Sequence, residues 1–230
     1  MPETHLDPPV EWPLPPEVSE PQPPQERRSW GKVSHTERYK RQRRDLLRAA
    51  SRLAARDGYE RTRVADIVAE AGLSKSTFYE HFTSKEECFV DLYRRTSGQM
   101  LRGAVETAEA TIHLGPRECL VSVIRALVGY SERNPRLAEA LRVSLGAMDA
   151  NVTLTSYDNM RRIIHFFVAL AHRLHSPLDS DELELTATVM VRGVTDILGT
   201  LRSDPSTLDE RLDQIARMGV RAFGFEGSDA

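Results

Sequence analysis

The sequence TRVADIVAEAGLSKSTFYEHFTSK, residues 62–85, predicts two short helices joined by a tight turn. Thr62 has the side chain of a helix N-cap, and apolar residues follow it at the i, i+3, i+4, i+7 spacing of an amphipathic helix. Gly72 is the residue type that ends helices in the left-handed conformation. Ser74 is a second N-cap, and two phenylalanines one turn apart give its helix a buried side. The stretch therefore predicts a helix-turn-helix, whose second helix enters the major groove of DNA.

A longer helix is predicted on each side of this motif. Upstream, Thr36 can cap a helix that runs to about Asp57, and its second half carries an apolar stripe that should pack across the motif. The stripe consists of Leu46, Ala50, Leu53 and Ala54. Downstream, Ser84 and Glu87 have the spacing of a capping box, which begins a helix that we run to about Ile112.

Helical periodicity continues through the rest of the chain, between breaks that contain proline. Further helices are predicted over residues 116–134, 135–146, 152–175 and 180–202, followed by a last helix that Ser206 or Thr207 can cap. Together with the four helices above, they make an all-α fold of about nine helices.

The first 26 residues differ in composition from the rest. They hold nine of the thirteen prolines and six acidic residues, with no Lys or Arg and no hydrophobic period. Such a segment cannot bury enough apolar surface to offset the entropy of ordering, so we predict that it is disordered. The basic sequence RRSWGK at residues 27–32 is either a solvated linker or an arm for the minor groove of DNA.

Charge is segregated along the chain, although the net charge is only −3. Residues 27–95 contain 17 basic and 10 acidic residues, whereas residues 96–230 contain 14 and 18. A basic block over the predicted motif is the electrostatic footprint of a DNA-contacting module. The block includes a basic cluster in the first half of the upstream helix, which either contacts phosphate or is simply solvated. This cluster consists of Arg38, Lys40, Arg41, Arg43 and Arg44.

Other classes of protein have little support in the sequence. The longest nearly apolar run, residues 163–171, is too short to span a bilayer, and the N-terminus lacks an export signal, so we expect a cytoplasmic protein without membrane contact. Cys88 and Cys119 lie in helical patterns, which favours buried free thiols over redox sensing. No catalytic motif occurs, and the three histidines within residues 165–175 lack converging partners. We therefore expect no enzyme, no metal site and no cofactor.

In combination, the pieces of the motif resemble a known family. The run from Leu46 to Val90 is similar to the N-terminal DNA-binding domain of the TetR/AcrR family of bacterial transcriptional regulators. The matching pieces are DGY at residues 57–59, the Thr62 cap, IV at 67–68, AGLS at 71–74, TFYxxF at 77–82 and SKEE at 84–87. Composition predicts a disordered, proline-rich, acidic tail with a basic end over residues 1–35. The resemblance implies a three-helix helix-turn-helix domain over residues 36–83 and a helical ligand-binding and dimerisation domain over residues 84–230.

The resemblance also implies roles for particular residues. Ser74, Lys75, Ser76, Thr77, Tyr79 and His81 stand where recognition-helix residues of such regulators contact bases and phosphates, and Thr62 and Lys85 stand where the family contacts the phosphate backbone. Helix capping is the competing interpretation for Thr62 and Ser74, and a place in the core is the competing interpretation for Tyr79. Glu80 either accepts a hydrogen bond from a cytosine amine or faces away from DNA.

The C-terminal helices are expected to bind an effector and to pair two subunits. The candidate walls of a ligand pocket are Met100, Tyr130, Met148, Tyr157 and Phe167, with core packing as the alternative. Apolar stripes on the last two long helices are either core or the four-helix interface of a homodimer, which the resemblance favours. These stripes consist of Thr186, Val189, Met190, Gly193, Val194 and Ile197, and of Leu208, Leu212, Ile215 and Ala216.

These features predict a homodimeric repressor that binds double-stranded operator DNA and is released by a small apolar or amphipathic ligand. Two-fold symmetry would present two recognition helices to two half-sites. The alternative is a helical small-molecule binding or scaffold protein that no longer reads DNA.

Overall fold

The computed structural model describes residues 12, 35–133, 138, 150–200 and 208–225. Its α-helices are α1 (His35–Asp57), α2 (Val64–Ala71), α3 (Lys75–His81), α4 (Lys85–Thr111), α5 (Pro116–Arg133), α6 (Ala150–Arg173), α7 (Ser180–Thr200) and α8 (Leu208–Ala222), and a short 3-10 helix covers Ile112–Leu114. The prediction of an all-α fold is confirmed. Apart from Ala138, the helix predicted at 135–146 lies outside the described residues, and so does the cap predicted at Ser206 or Thr207.

The chain divides into two compact units. The first comprises residues 16–98 and 131–157, and the second comprises residues 1–15, 99–130 and 158–230. The division falls within α4, so the start of this helix belongs to the first unit and its end belongs to the second.

The core of the first unit is built on α1. The predicted stripe of Leu46, Ala50, Leu53 and Ala54 is buried, and it packs with Ile67 of α2, Phe78 of α3 and Phe89 of α4. Each fully buried large apolar side chain contributes about 1.5–3 kcal/mol to folding. Burial on α1 also extends further towards its N-terminus than predicted, to residues 39 and 43. This core fixes how α2 and α3 are presented.

The core of the second unit draws on the end of α4 and on α5 to α8. Leu212, Ile215 and Ala216 of α8 are buried in it, so this predicted stripe is core within the chain. On α7, Val189 and Gly193 are exposed, whereas Thr186, Met190 and Val194 are half-buried. The side chains of Ile197 and Leu208 lie outside the described residues.

The candidate pocket residues have different surroundings. Phe167 is buried in the core of the second unit, Met100 is half-buried, and Tyr157 is exposed. The side chain of Tyr130 and all of Met148 lie outside the described residues. Of the three described side chains, only Phe167 is fully packed, and the role of the five in ligand binding stays a prediction.

Several other predictions can be compared with the structure. Cys88 and Cys119 are buried free thiols, as predicted. Within residues 1–26, for which disorder is predicted, the structure describes Trp12, whose ring packs on the core of the second unit. The other residues of that segment, and residues 27–32, lie outside the described part of the chain. Within that part, no helix has the length and apolar character needed to span a bilayer.

Candidate nucleic-acid interface

The turn between α2 and α3 is formed as the sequence predicts. Gly72 ends α2 with φ +66°, and the amide of Leu73 donates to the carbonyl of Val68 at 2.9 Å. This left-handed glycine and backbone bond are the C-terminal motif expected of such a helix. Ser74 then caps α3, because its Oγ accepts a hydrogen bond from the amide of Thr77 at 3.1 Å. The turn is thus held at both ends by local hydrogen bonds.

The start of α2 differs from the prediction, because Thr62 is not its cap. The N-cap is Arg63, whose amide donates to the carboxylate of Asp66 at 3.2 Å. Thr62 is only 2% exposed, and its hydroxyl donates to the carbonyl of Gly58 at 2.8 Å. Its side chain therefore fastens the α1–α2 loop and does not face solvent, where a phosphate could reach it.

Helix α3 has one buried and one exposed side. Phe78, and Phe82 just after the helix, are buried, whereas Tyr79 is 58% exposed. The alternative that placed Tyr79 in the core is therefore wrong. Ser74, Lys75, Ser76 and Glu80 are also exposed, and Thr77 is half-buried. Three hydroxyl groups are linked at the exposed N-terminal end, with Ser74 Oγ 2.7 Å from Ser76 Oγ and 2.9 Å from Thr77 Oγ1.

His81 lies on the buried side, which contradicts its predicted role as a DNA contact. His81 is 5% exposed, and the centroid of its ring lies 4.1 Å from that of the Tyr39 ring. Neither ring nitrogen has a hydrogen-bond partner among the described residues. Burial, with a smaller contribution from the Arg43 charge, lowers the pKa of His81 to about 4. The signal for this burial was in the sequence, because His81 follows Phe78 by three residues and shares its helix face.

Arg43 is buried as well, so it is no longer a candidate phosphate contact, unlike the rest of the basic cluster of α1. Its guanidinium donates to the carbonyl of His81 at 2.6 Å and to the carboxylate of Asp91 at 3.2 Å, and it lies 4.1 Å from the ring centre of Phe82. Asp91 also accepts from Arg95 at 3.1 Å. Arg43 thereby ties the C-terminal end of α3 to α1 and to the start of α4. Arg38, Arg41 and Arg44 of the cluster remain exposed, and Lys40 is half-buried.

Lys85 lies at the first position of α4 and contacts the α1–α2 loop. Its ammonium donates to the carbonyl of Tyr59 at 3.3 Å and lies 3.9 Å from the centre of that ring. Tyr59 in turn donates from its hydroxyl to Glu86 at 3.1 Å, and burial together with Glu86 raises the pKa of Tyr59. Lys85 is half-buried, so its cation stays partly accessible beside the amino end of α4.

The capping box predicted before α4 forms in a modified way. Ser84 Oγ accepts from the amide of Glu87 at 3.2 Å, as expected. The carboxylate of Glu87, however, accepts from the amide and the hydroxyl of Thr83, each at 2.6 Å. The reciprocal bond therefore comes from the residue before the cap.

Acidic neighbours compensate part of the exposed basic charge of the first unit. Arg52 lies 2.8 Å from Glu70, and Arg56 lies 2.8 Å from Asp57. In both pairs the arginine side chain is more than half exposed, so each pair is a surface interaction of small energy. The two ion pairs therefore reduce the excess of positive charge near α2.

Helices α2 and α3 are joined by a three-residue turn, and the exposed side of α3 carries hydroxyls, an amine and a phenol. These features make the first unit a helix-turn-helix DNA-binding domain. Comparison with known proteins agrees with this class. Residues 46–92 match the family model of bacterial regulatory proteins of the tetR family. The match supports a transcriptional regulator of the TetR family.

Individual relatives resemble the chain to different extents. The HTH-type transcriptional repressor AcnR of Corynebacterium diphtheriae is 30% identical over 49% of this chain and 53% of its own length. The transcriptional repressor KstR of Mycobacterium tuberculosis is 24% identical over 82% of this chain and 83% of its own. The match with AcnR thus spans about half of that relative.

Solved structures share the fold of about four fifths of the chain. A crystal structure described as a TetR-family regulator from Mesorhizobium loti has a TM-score of 0.63, with 21% identity over 81% of this chain and 96% of its own. The FadR regulator of Bacillus subtilis, solved in complex with stearoyl-CoA, has a TM-score of 0.55, with 19% identity over 76% of this chain and 98% of its own. TetR-family regulators bind operator DNA and small effectors and act as dimers, and the family consists of regulators, not enzymes.

Proposed function

We propose that this protein is a homodimeric transcriptional repressor whose operator binding is released by a small apolar or amphipathic ligand. The observation that carries the proposal is the exposed side of α3, where Lys75, Ser76 and Tyr79 face solvent while Phe78 holds the helix on the core. AcnR and KstR are named as transcriptional repressors, which supports repression over activation.

The DNA contacts that we propose come from the start and middle of α3. Ser74, Lys75, Ser76, Thr77 and Tyr79 would reach bases and phosphates of the major groove, because these positions are exposed or half-buried on one helix. Lys85 would add a phosphate contact at the amino end of α4, where the helix dipole also favours an anion. The side chains of Thr62 and His81 drop out of the proposed set because both are buried.

The dimer would form through α7 and α8. Leu185 and Val189 on α7 are 67% and 62% exposed, and Met218 on α8 is 56% exposed. Leu185 and Val189 are one turn apart, so they form an apolar ridge that a second copy could cover. A two-fold dimer would then place its recognition helices on half-sites about 34 Å apart, or a multiple of that distance.

A ligand would act by favouring a conformation of the second unit in which the two recognition helices no longer match their half-sites. A coupling free energy of about 1–3 kcal/mol would change operator affinity roughly 5- to 150-fold. Met100 and Phe167 remain candidate contacts because both lie in the second unit. The acyl ligand bound to FadR of Bacillus subtilis supports an apolar or amphipathic effector.

DNA binding can be tested in two stages. Fragments of the source genome that bind the full chain are first selected, and binding to the best fragment and to a random duplex is then titrated with salt. Lys75→Ala should lower the slope of log affinity against log salt by about 1, because one phosphate contact is lost. Tyr79→Ala should weaken binding to the selected fragment by about 1–3 kcal/mol and leave the random duplex almost unchanged.

Arg102→Ala is the matched control, since it removes an exposed cation from the second unit. Its affinity and salt slope should equal those of the wild-type chain. Unchanged binding by both α3 variants would overturn the recognition assignment. Absence of salt-dependent binding to any duplex would favour the helical binding or scaffold protein that does not read DNA.

The dimer assignment is tested by sedimentation of Val189→Glu. A charge in the middle of the apolar ridge should shift the chain to monomers and weaken binding to a palindromic operator. Leu114→Glu is the control, because Leu114 is also exposed, at 51%, but lies in the 3-10 helix after α4. A monomeric wild-type chain, or a dimeric Val189→Glu variant, would contradict the proposed interface.

A further inference from the structure

Trp12 is held on the second unit by three different kinds of contact. Its ring stacks on Phe166 of α6, with centroids 5.4 Å apart and planes at 29°. The guanidinium carbon of Arg173 lies 4.5 Å from the centre of the indole ring. The indole N–H donates to the carboxylate of Glu109 on α4, a residue 97 positions away in sequence. Stacking, a cation–π contact and a hydrogen bond thus act on one side chain.

The residues that receive Trp12 also hold one another. The two terminal nitrogens of Arg173 donate to the two oxygens of Glu109 at 2.7 and 3.0 Å, which is a two-point ion pair. The hydrogen bond from Trp12 and the bonds from Arg173 lower the pKa of Glu109. Phe166 is completely buried and packs edge-on against Phe167 at 5.3 Å. The receiving surface is therefore ordered by contacts of its own.

The geometry matches the chemistry of an indole. A flat apolar ring lies against Phe166, a cation lies over its π-system, and a carboxylate accepts its only donor. A phenylalanine would lack the donor, and a lysine or an arginine would place a cation beside Arg173. The surface is thus selective for an aromatic side chain that carries an N–H group.

Chain length does not force this contact. Trp12 lies 23 positions before the start of α1, a distance in sequence that can extend to roughly 80 Å at about 3.3–3.6 Å per position. Trp12 also belongs to the acidic, proline-rich segment whose composition does not support folding on its own. Among the described residues, its place on the second unit is held by the contacts with Phe166, Arg173 and Glu109.

We infer that Glu109, Phe166 and Arg173 form a docking site for the N-terminal segment of the same chain, with Trp12 as its anchor. Docking fastens one point of the acidic segment to the unit that contains the ends of α4 and α6. The inference does not depend on DNA binding, on an effector or on dimerisation.

Tryptophan fluorescence of the full-length chain tests this inference directly. The chain has two tryptophans, so Trp30→Phe leaves Trp12 as the sole tryptophan emitter. In the native Trp30→Phe chain, emission should be blue-shifted and quenching by acrylamide should be weaker than in urea. Adding Glu109→Ala or Arg173→Met should shift the emission to the red and raise quenching towards the value of the unfolded chain.

Arg117→Met in the same background is the matched control. Arg117 forms an ion pair with Asp213 at 2.8 Å in the second unit and makes no contact with Trp12. This variant should leave the emission unchanged, and circular dichroism should show that all variants are folded. Solvent-like emission in the native Trp30→Phe chain would overturn the inference, and so would an equal response to Arg117→Met and Arg173→Met.

A second measurement tests the site without relying on a shift in emission. In the Trp12→Ala chain the site is vacated, so a labelled peptide of residues 1–26 should bind to it. The same peptide should not bind to a chain that carries Trp12→Ala and Arg173→Met together. Binding that survives Arg173→Met would refute the site. Loss of Trp12 shielding on dilution of the Trp30→Phe chain would show that a second copy supplies the anchor, and would overturn the same-chain assignment.

Discussion

The buried imidazole of His81 makes the stability of the first unit depend on pH in a calculable way. The folded pKa is about 4, and an unfolded histidine titrates near pH 6.5. Between these values the unfolded chain binds the additional proton, so the free energy of unfolding falls as the pH falls. The contribution of His81 is fully present above about pH 6.5 and is lost progressively towards about pH 4.

The magnitude follows from the difference between the two pKa values. At about 1.4 kcal/mol per pKa unit, the full shift corresponds to at most about 3 kcal/mol, and about 2 kcal/mol is expressed between about pH 7 and about pH 4.5. His81→Phe removes this titration and keeps an aromatic ring beside Tyr39. It also removes two ring nitrogens without partners, and an unsatisfied buried polar group costs about 1–3 kcal/mol. The variant should therefore be at least as stable as the wild-type chain at neutral pH.

Urea unfolding followed by circular dichroism measures both chains across this pH range. Carboxylates titrate in the same window, so the informative quantity is the difference between wild type and His81→Phe at each pH. That difference should grow by about 2 kcal/mol in favour of the variant as the pH falls. His113→Gln, at an exposed histidine, should follow the wild-type curve. Parallel pH curves for wild type and His81→Phe would refute the reasoning.

Three further outcomes follow from the same unit. Arg43→Met should lower the urea-unfolding free energy by about 3 kcal/mol, the low end for breaking a buried ion pair, because Arg95 still contacts Asp91; a loss below about 1 kcal/mol would contradict a structural role for the pair. Gly72→Ala should cost about 1 kcal/mol through its positive φ alone, since a Cβ there would meet nothing within 4 Å, and a much larger loss of thermal stability would point to a clash. Burial raises the pKa of Cys88, so its thiol should resist Ellman's reagent until urea unfolds the chain, and rapid labelling of the native protein would show an open site.

Local signals in the sequence predicted the local features of the motif. The ends of α2 and α3 could be placed because Gly72 and Ser74 act through bonds to backbone atoms a few residues away. The apolar stripe of α1 could be predicted for the same kind of reason, because helical spacing decides which residues share a face. The prediction that Thr62 caps α2 was wrong because its hydroxyl donates to the carbonyl of Gly58 and the N-cap is the next residue, Arg63.

Contacts of polar and aromatic side chains between distant elements were not predicted. Arg43 and His81 were assigned to the surface because their side chains are polar, yet both continue an apolar spacing, from Leu46 and Leu47 in α1 and from Phe78 in α3. The groups that accept from the buried Arg43, the Asp91 carboxylate and the His81 carbonyl, lie on other helices, which no local pattern contains. Trp12 is the same case, since its acceptor lies 97 residues away and its own segment has no helical period.

In helix α3, the residues that pack in the core differ from the residues that face solvent. Phe78 and His81 are buried, whereas Lys75, Ser76 and Tyr79 are exposed, with the Tyr79 ring edge-on to Phe78. The three exposed positions can therefore vary together with little loss of stability. A library randomised at these positions should yield mostly folded proteins, so the sequence preference of this domain could be changed, by selection in the laboratory or during evolution, without rebuilding the scaffold that carries it.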